Sequence, residues 1–441
     1  MTNSNKSNVF DIIGDPIQRF FKIEASGGII LLFSTVVALV WANSPWGHTY
    51  HEFWEGNNLT LGIGNFEISK TFHHWINDGL MAIFFFVVGL EIKREMLTGE
   101  LSSIKKASLP IAAAIGGMVV PALIYVALNR TPGTSGGWGI PMATDIAFSL
   151  GVLTLLGKRV PLALKVFLVA FAIVDDLGAV LIIAFFYTAE LHVDYLLYGL
   201  GLFLVLLVFN RLRIRAVYPY MAVGWVIWYF FLKSGIHPTI AGVLIAFTIP
   251  IYRKIKISTF RNRIDCNLQQ FQGDEKDKKE TLDHHQLAAI DNIGSEMRKV
   301  QSPLQHLEHT LHGFVTYLVM PVFALANAGV AFHGSVTDIF SALSLQIEVS
   351  LVLGKVLGIL LFSFLSVKLG IAVLPKNTKW TNILGLGLLG GMGFTMSLFI
   401  ANLAFAGPEH LDPAKVGILI GSLISGVAGY FVLKGTLKAE R

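Results

Sequence analysis

Asp175 and Asp176 lie side by side midway along residues 164–186, a run that is apolar but for Lys165 at its edge and long enough to cross a bilayer. A carboxylate near the middle of hydrocarbon costs roughly 2.5–3.5 kcal/mol on insertion scales. Two together cost more, because each opposes the other's ionisation. Packing has no use for such a pair. Its chemistry is that of a buried group that holds a proton or a cation in turn.

The rest of the chain is built to place those oxygens in a membrane. Of 441 residues, 54% are hydrophobic and 14% charged, and mean hydropathy is +0.63, outside the range of soluble globular chains. A span needs about 20 apolar residues. Twelve stretches qualify, at 24–43, 74–92, 108–128, 138–157, 162–187, 195–210, 216–232, 236–251, 312–332, 347–367, 381–402 and 413–434. The polar N-terminus, 1–23, has no small-residue cleavage signature, so the first span is read as retained. With a cytoplasmic N-terminus, 29 of the 34 Lys and Arg residues fall on the inner side. Lys70, Arg130, Lys233 and Lys415 fall outside, and Lys355 lies within a span. That asymmetry predicts both termini inside. It also accounts for the net charge of +5, so no nucleic-acid partner is expected. A lone cysteine, Cys266, excludes an intrachain disulfide and a cysteine metal site.

Two stretches read as non-helical. Residues 57–70 alternate with period 2 around Gly64-Asn65, the pattern of an outer β-hairpin. An isolated hairpin is marginal and has open edges, so it pairs with a second copy in a homodimer or packs on its own protein. Residues 252–308 form the long polar connection, a cytoplasmic loop that mixes a solvated charge run at 274–280 with a later, more helical part at 287–290; it contains no Walker-A pattern. Residues 435–441 form a cytoplasmic C-terminus, and 1–441 read as one transmembrane transporter domain. Glycines crowd the fourth span, Gly137 to Asp145, and the eleventh, Gly385 to Ser397. Membrane helices use glycine for close packing. Gly390, Gly391 and Gly393 followed by Thr395 point further, to unwound backbone, which is tolerated at depth only where it is buried or lines a watery cavity. Two such breaks in corresponding halves predict an inverted repeat with the site where they cross.

Ala143-Thr144-Asp145-Ile146-Ala147-Phe148, Val174-Asp175-Asp176-Leu177-Gly178-Ala179, Gly354-Lys355 and Gly393-Phe394-Thr395-Met396-Ser397 closely resemble the NhaA family of bacterial sodium/proton antiporters. So do Gly89-Leu90-Glu91-Ile92-Lys93-Arg94-Glu95, Ser234-Gly235-Ile236-His237, Leu307-Glu308-His309 and Ala326-Asn327-Ala328-Gly329-Val330. The likeness runs in order from about residue 11 to 437. It implies an all-α integral membrane protein of about twelve helices, with inverted-topology repeats and two discontinuous helices that cross. This family is itself a standard example of that arrangement, so the repeat is not an independent prediction. The resemblance further implies electrogenic export of Na+ or Li+ against more than one H+, activation at alkaline pH, and a bacterial inner-membrane location with sodium and pH homeostasis as the role. No cofactor or resident metal is expected beyond the transported ion. The connection from Tyr252 to Glu308 is longer than in the best-known members, and Pro238 follows His237 directly.

Sodium is a hard cation and takes oxygen ligands, which Asp175, Asp176, Asp145 and Thr144 can supply. Neighbours on a helix diverge by about 100°, so the two acids cannot project alike. Asp176 is assigned as principal ion ligand and proton carrier, with Asp175 as its partner facing Lys355. Burial and a like neighbour favour the protonated form of a carboxyl, so sodium and protons compete for the same oxygens. Lys355 either pairs with Asp175 until sodium arrives or stabilises the negative helix ends at a break. Asp145 can likewise stabilise the positive ends. Glu91 and Arg94 resemble the family's cytoplasmic pH-sensing cluster, with Glu308, His309 and His312; the plainer reading is an interfacial charge cluster. His237 matches a position that affects pH response, or is simply packed.

Other classes fit less well. An intramembrane aspartyl protease would carry its acids on separate helices with a Gly-x-Gly-Asp motif, which does not occur here. A passive channel needs no buried lysine or broken helices. A sodium-coupled symporter of related fold is the alternative to the antiporter, and neither is an enzyme.

Overall fold

The computed structural model describes residues 9–63, 66–188, 190–271, 281–331, 341–375 and 378–437, with side chains from Ser26 onward except at 63, 66, 158, 270 and 271. The extreme N-terminus, the Gly64-Asn65 turn, the charge run at 274–280 and residues 438–441 lie outside the described residues. The chain opens with α1 (Val9–Ala42) and the hairpin of β1 (Asn58–Ile63) and β2 (Phe66–Thr71). Helices α2 (Phe72–Thr98) and α3 (Ile104–Leu128) follow. A tight 3-10 segment, Ser135–Met142, then leads through extended backbone into α4 (Ile146–Leu155). Next come α5 (Leu162–Phe186), α6 (Val193–Arg211), α7 (Tyr218–Ser234) and α8 (Thr239–Thr248). After α9 (Ile257–Phe271) and α10 (His284–Val300) come α11 (Pro303–Asn327) and α12 (Ala342–Lys368). The chain ends with α13 (Trp380–Gly390), α14 (Phe394–Ala404) and α15 (Pro408–Thr436).

Among the described residues, eight helices are long and apolar enough to cross a membrane. The pair α13 and α14, bent by 46°, is long and apolar enough together to count as a ninth, broken span. Ser26–Ala42 and Thr239–Thr248 are shorter apolar helices. Large apolar side chains such as Phe33, Leu123, Leu204 and Phe431 stand exposed around the outside. So much exposed apolar surface has a stable solvent only in lipid.

Three boundaries differ from the sequence reading. Helix α1 begins at Val9, inside the stretch read as a polar terminus, because extending an existing helix costs little once it is nucleated. The connection 252–308 is helical at 284–300, where the sequence reads as more helical, and also over 257–271, ahead of the charge run. Its second helix starts at a capping box formed by Asp283 and Gln286, and the first, α9, packs against it. Helix α11 starts at Pro303 rather than near 312, with the Ser302 hydroxyl accepting from Gln305 N–H.

Small residues set the helix crossings that carry the site. Gly116 of α3 and Gly358 of α12 face each other so closely that a methyl on either would strike the other's carbonyl oxygen. Gly354 also lies tight against Pro121. These contacts hold the turn that bears Lys355 against α3. The turn just before it, Ser350–Gly354, is a wide π-helical one, a feature common at functional sites. On the other side, Gly89 of α2 packs on Val243 and Ala246 of α8, and Gly242 meets the Ala82 carbonyl, which fixes the stretch of α2 that carries Glu91 and Arg94. The hairpin is antiparallel, with Asn58 opposite Thr71 and Thr60 opposite Ser69. It rests on its own chain through the Trp75 indole, which donates to the Leu59 carbonyl at 2.9 Å.

Candidate ion site

The two helix breaks meet. Asp145 N–H donates to the Met392 carbonyl at 2.7 Å, Thr144 Oγ1 to the Gly390 carbonyl at 2.7 Å, and Ser149 Oγ to the Leu389 carbonyl at 2.8 Å. Ser397 Oγ donates to the Ile140 carbonyl at 2.7 Å. The last carbonyls of α13 therefore find donors on the segment that starts α4, which answers the hydrogen-bonding demand that buried helix ends create.

Asp145 sits between two helix starts. Its Oδ1 accepts from Phe148 N–H at 3.0 Å, capping α4. Its Oδ2 accepts from Thr395 N–H at 3.2 Å and from the Thr395 hydroxyl at 2.5 Å, at the first turn of α14. An anionic group at two positive helix ends is well placed electrostatically. Both oxygens are thus engaged by helix ends, so Asp145 is shaped as a cap first and offers less to a cation than its type alone suggested.

Asp175 and Asp176 lie in the middle of α5, each 1% exposed. Asp175 accepts two hydrogen bonds from Lys355 Nζ, at 2.8 and 3.0 Å, and neither side chain reaches solvent. Thr144 also lies close to Asp175. The Lys355 ammonium also stands 5.6 Å from the centre of the Phe171 ring, a further favourable contact for the charge. Asp176 differs. Both of its carboxyl oxygens are buried and neither has a hydrogen-bond partner. It borders a cavity of about 60 Å³ shared with Thr144, Asp145, Thr395, Glu91 and His312. That volume holds several waters. A bare, unpartnered carboxylate in such a place is strongly unfavourable. Its oxygens are arranged for a proton or a hard cation.

The cavity reaches toward the end of α2. There His312 Nδ1 lies 3.6 Å from Glu91, and Arg94 pairs with Glu308 at 2.7 Å and Glu95 at 2.9 Å. Four of the five residues expected in this cluster come together. His309 does not: it is exposed and makes none of these contacts, because it lies about 100° around α11 from Glu308. At the opposite end His237 is buried, hydrogen-bonded to Thr239 at 2.7 Å and 3.6 Å from Asp78. Its ring meets Phe399 edge-on. It borders neither Asp176 nor the Glu91 cluster.

One polar group escaped the sequence reading. Asn327 Oδ1 accepts from Asn402 at 2.8 Å and lies 2.9 Å from His73, and Asn327 Nδ2 donates to Asn77 at 3.1 Å. This network ties α2, α11 and α14 together. Asn327 lies in a recognised motif, but its partners are up to 254 residues distant and no local pattern connects them.

Nearly the whole chain is similar to known proteins. Residues 18–433 match the family described as Na+/H+ antiporter 1. The Na(+)/H(+) antiporter NhaA of Oleidesulfovibrio alaskensis is 52% identical over 427 residues, which cover 96% of this chain and 95% of that one. NhaA of Sulfurimonas denitrificans is 47% identical over 433 residues, 98% and 97% of the two chains. NhaA 2 of Syntrophotalea carbinolica is 49% identical over 422 residues, 95% and 96% of the two chains. These relatives give the symporter alternative no support.

Proposed function

Because this chain belongs to the Na+/H+ antiporter family and is a multi-pass membrane Na+/H+ antiporter, we propose that Asp176 carries sodium and protons in alternation. The observation that carries this reading is the pair of unpartnered, buried Asp176 oxygens facing the cavity. Sodium and protons compete for those oxygens, and only an occupied site changes sides, so competition alone produces exchange. Thr144 and cavity waters complete the oxygen shell, with Asp175 as a neighbouring acid. Lys355 neutralises Asp175 while the cation is away, and the arriving cation weakens that pair.

The finer features of the reading are these. Twelve spans, built as inverted repeats, place both termini and the α9–α10 hairpin in the cytoplasm of a bacterial inner membrane, and 1–441 act as one transporter domain. Li+ is accepted as well as Na+, and exchange is electrogenic. Glu91, Arg94, Glu308 and His312 form the pH-responsive mouth of the cavity, with His237 acting from the far side. The β1–β2 hairpin pairs with its copy in a homodimer, for which the open strand edges and exposed Leu59 and Leu61 are the support.

Everted membrane vesicles holding a respiratory pH gradient test the core of it. Adding sodium or lithium partly dissipates the gradient through the wild-type protein and leaves it intact with Asp176→Asn. Sodium flux with no accompanying proton movement would overturn the proposal.

A further inference from the structure

A pocket of about 370 Å³ opens between the start of α7, the end of α10 and the first turn of α11. Arg215, Lys254, Arg298, Lys299, Ser302 and His306 border it, and no acid does among the described residues. Lys299 is compensated, since it shares Glu296 with Arg263 at 2.6 and 3.0 Å. Arg215, Lys254 and Arg298 make no ion pair among the described residues. Arg215 donates from Nη2 to the Gln301 carbonyl at 3.0 Å, and its Nε is buried with no acceptor. The 25-residue helix α11 directs its positive end at the same space. Converging cations without a counter-charge repel one another, and a buried guanidinium N–H without an acceptor is costly.

We propose that this pocket binds a soluble, phosphate-bearing anion of about the size of a diphosphate. Three uncompensated cations, one of them a guanidinium fork, match a multiply charged group with oxygens on several sides better than a single carboxylate. Lys254, Arg298 and Lys299 belong to segments outside the membrane-spanning helices, which favours a ligand from solution over a lipid headgroup.

The test uses the full-length protein in nanodiscs of phosphatidylcholine, titrated with inorganic pyrophosphate by calorimetry. Saturable binding is expected, at least tenfold weaker in Arg215→Gln/Lys254→Gln/Arg298→Gln and unchanged in Lys105→Gln/Lys106→Gln/Arg261→Gln, which removes equal charge elsewhere on the same face. Because Arg215 also holds the Gln301 carbonyl, Arg298→Glu serves as a second variant: this exposed side chain has no partner to lose, and its reversal should weaken binding by itself. Absence of pyrophosphate binding, or an equal loss in the control variant, would overturn the proposal. So would retention of phosphatidylglycerol but not pyrophosphate at this site, read by native mass spectrometry, since it would make the ligand a lipid.

Discussion

Lys355 and Asp175 form a closed ion pair, with Nζ within 2.8 and 3.0 Å of the two carboxyl oxygens and both side chains fully buried. Asp176, the next residue along the same helix, has no such partner. One acid is neutralised by a fixed cation, and the other is left for a mobile one. The difference in role follows from this difference in surroundings.

Breaking the pair from one side leaves an uncompensated buried charge. Lys355→Ala is expected to destabilise the protein by about 3–5 kcal/mol, the range for removing one partner of a buried pair. Lys355→Met/Asp175→Asn should recover most of that loss. Thermal unfolding in detergent measures both. If the double variant still transports electrogenically, Lys355 is structural and not a proton carrier.

Asp176 should behave in the opposite way. Its carboxyl makes no hydrogen bond that a substitution could lose. Asp176→Asn is therefore expected to abolish exchange while leaving the melting temperature equal to or above that of the wild type, the usual balance between activity and stability at a functional site. A clear drop in melting temperature would show that this side chain supports the fold.

Asp145 separates capping from cation binding. Asp145→Ala removes acceptors from two helix starts and should cost about 2 kcal/mol or more. Asp145→Asn retains an acceptor for Phe148 or Thr395 and should melt closer to the wild type. Vesicle assays on the Asn variant then report on sodium: a modest rise in apparent sodium KM with substantial exchange fits a cap, and complete loss fits a ligand.

The α9–α10 hairpin carries its own pH dependence. Lys299 and Arg263 hold the Glu296 carboxyl below its ordinary value of 4.5. A depressed folded-state value means that this contribution is fully present above the unfolded value near 4.5 and is lost as pH falls through the folded one. Hydrogen-exchange protection across residues 284–300, corrected for the intrinsic rate at each pH, should therefore fall as pH drops below 4.5 in the wild type. In Glu296→Gln that protection should be lower at neutral pH and change less with acid. A parallel acid response in both proteins would remove Glu296 as the cause.

Much of the molecule was legible along the chain because its determinants are local or additive. Apolar span length, the paired acids and the glycine-rich breaks all follow from the solvent that each segment must meet. The capping box at Asp283 and the Ser302-Pro303 start are local signals too, but the sequence reading passed over them because a polar composition disguised the helices that they begin.

The sequence reading turns Asp175 toward Lys355, 180 residues away, and the folded chain brings the two together. The helical repeat by itself makes two neighbours diverge but does not say toward what, so the contact geometry belongs to the fold. The same applies to Asp145, whose carboxyl serves helix ends because Thr395, 250 residues distant, comes to it. It applies as well to His309, left outside a cluster whose other members lie within four residues of it or across on α2. Contacts between separate helices depend on crossings such as Gly116 on Gly358, and those are properties of packed surfaces rather than of any stretch of sequence.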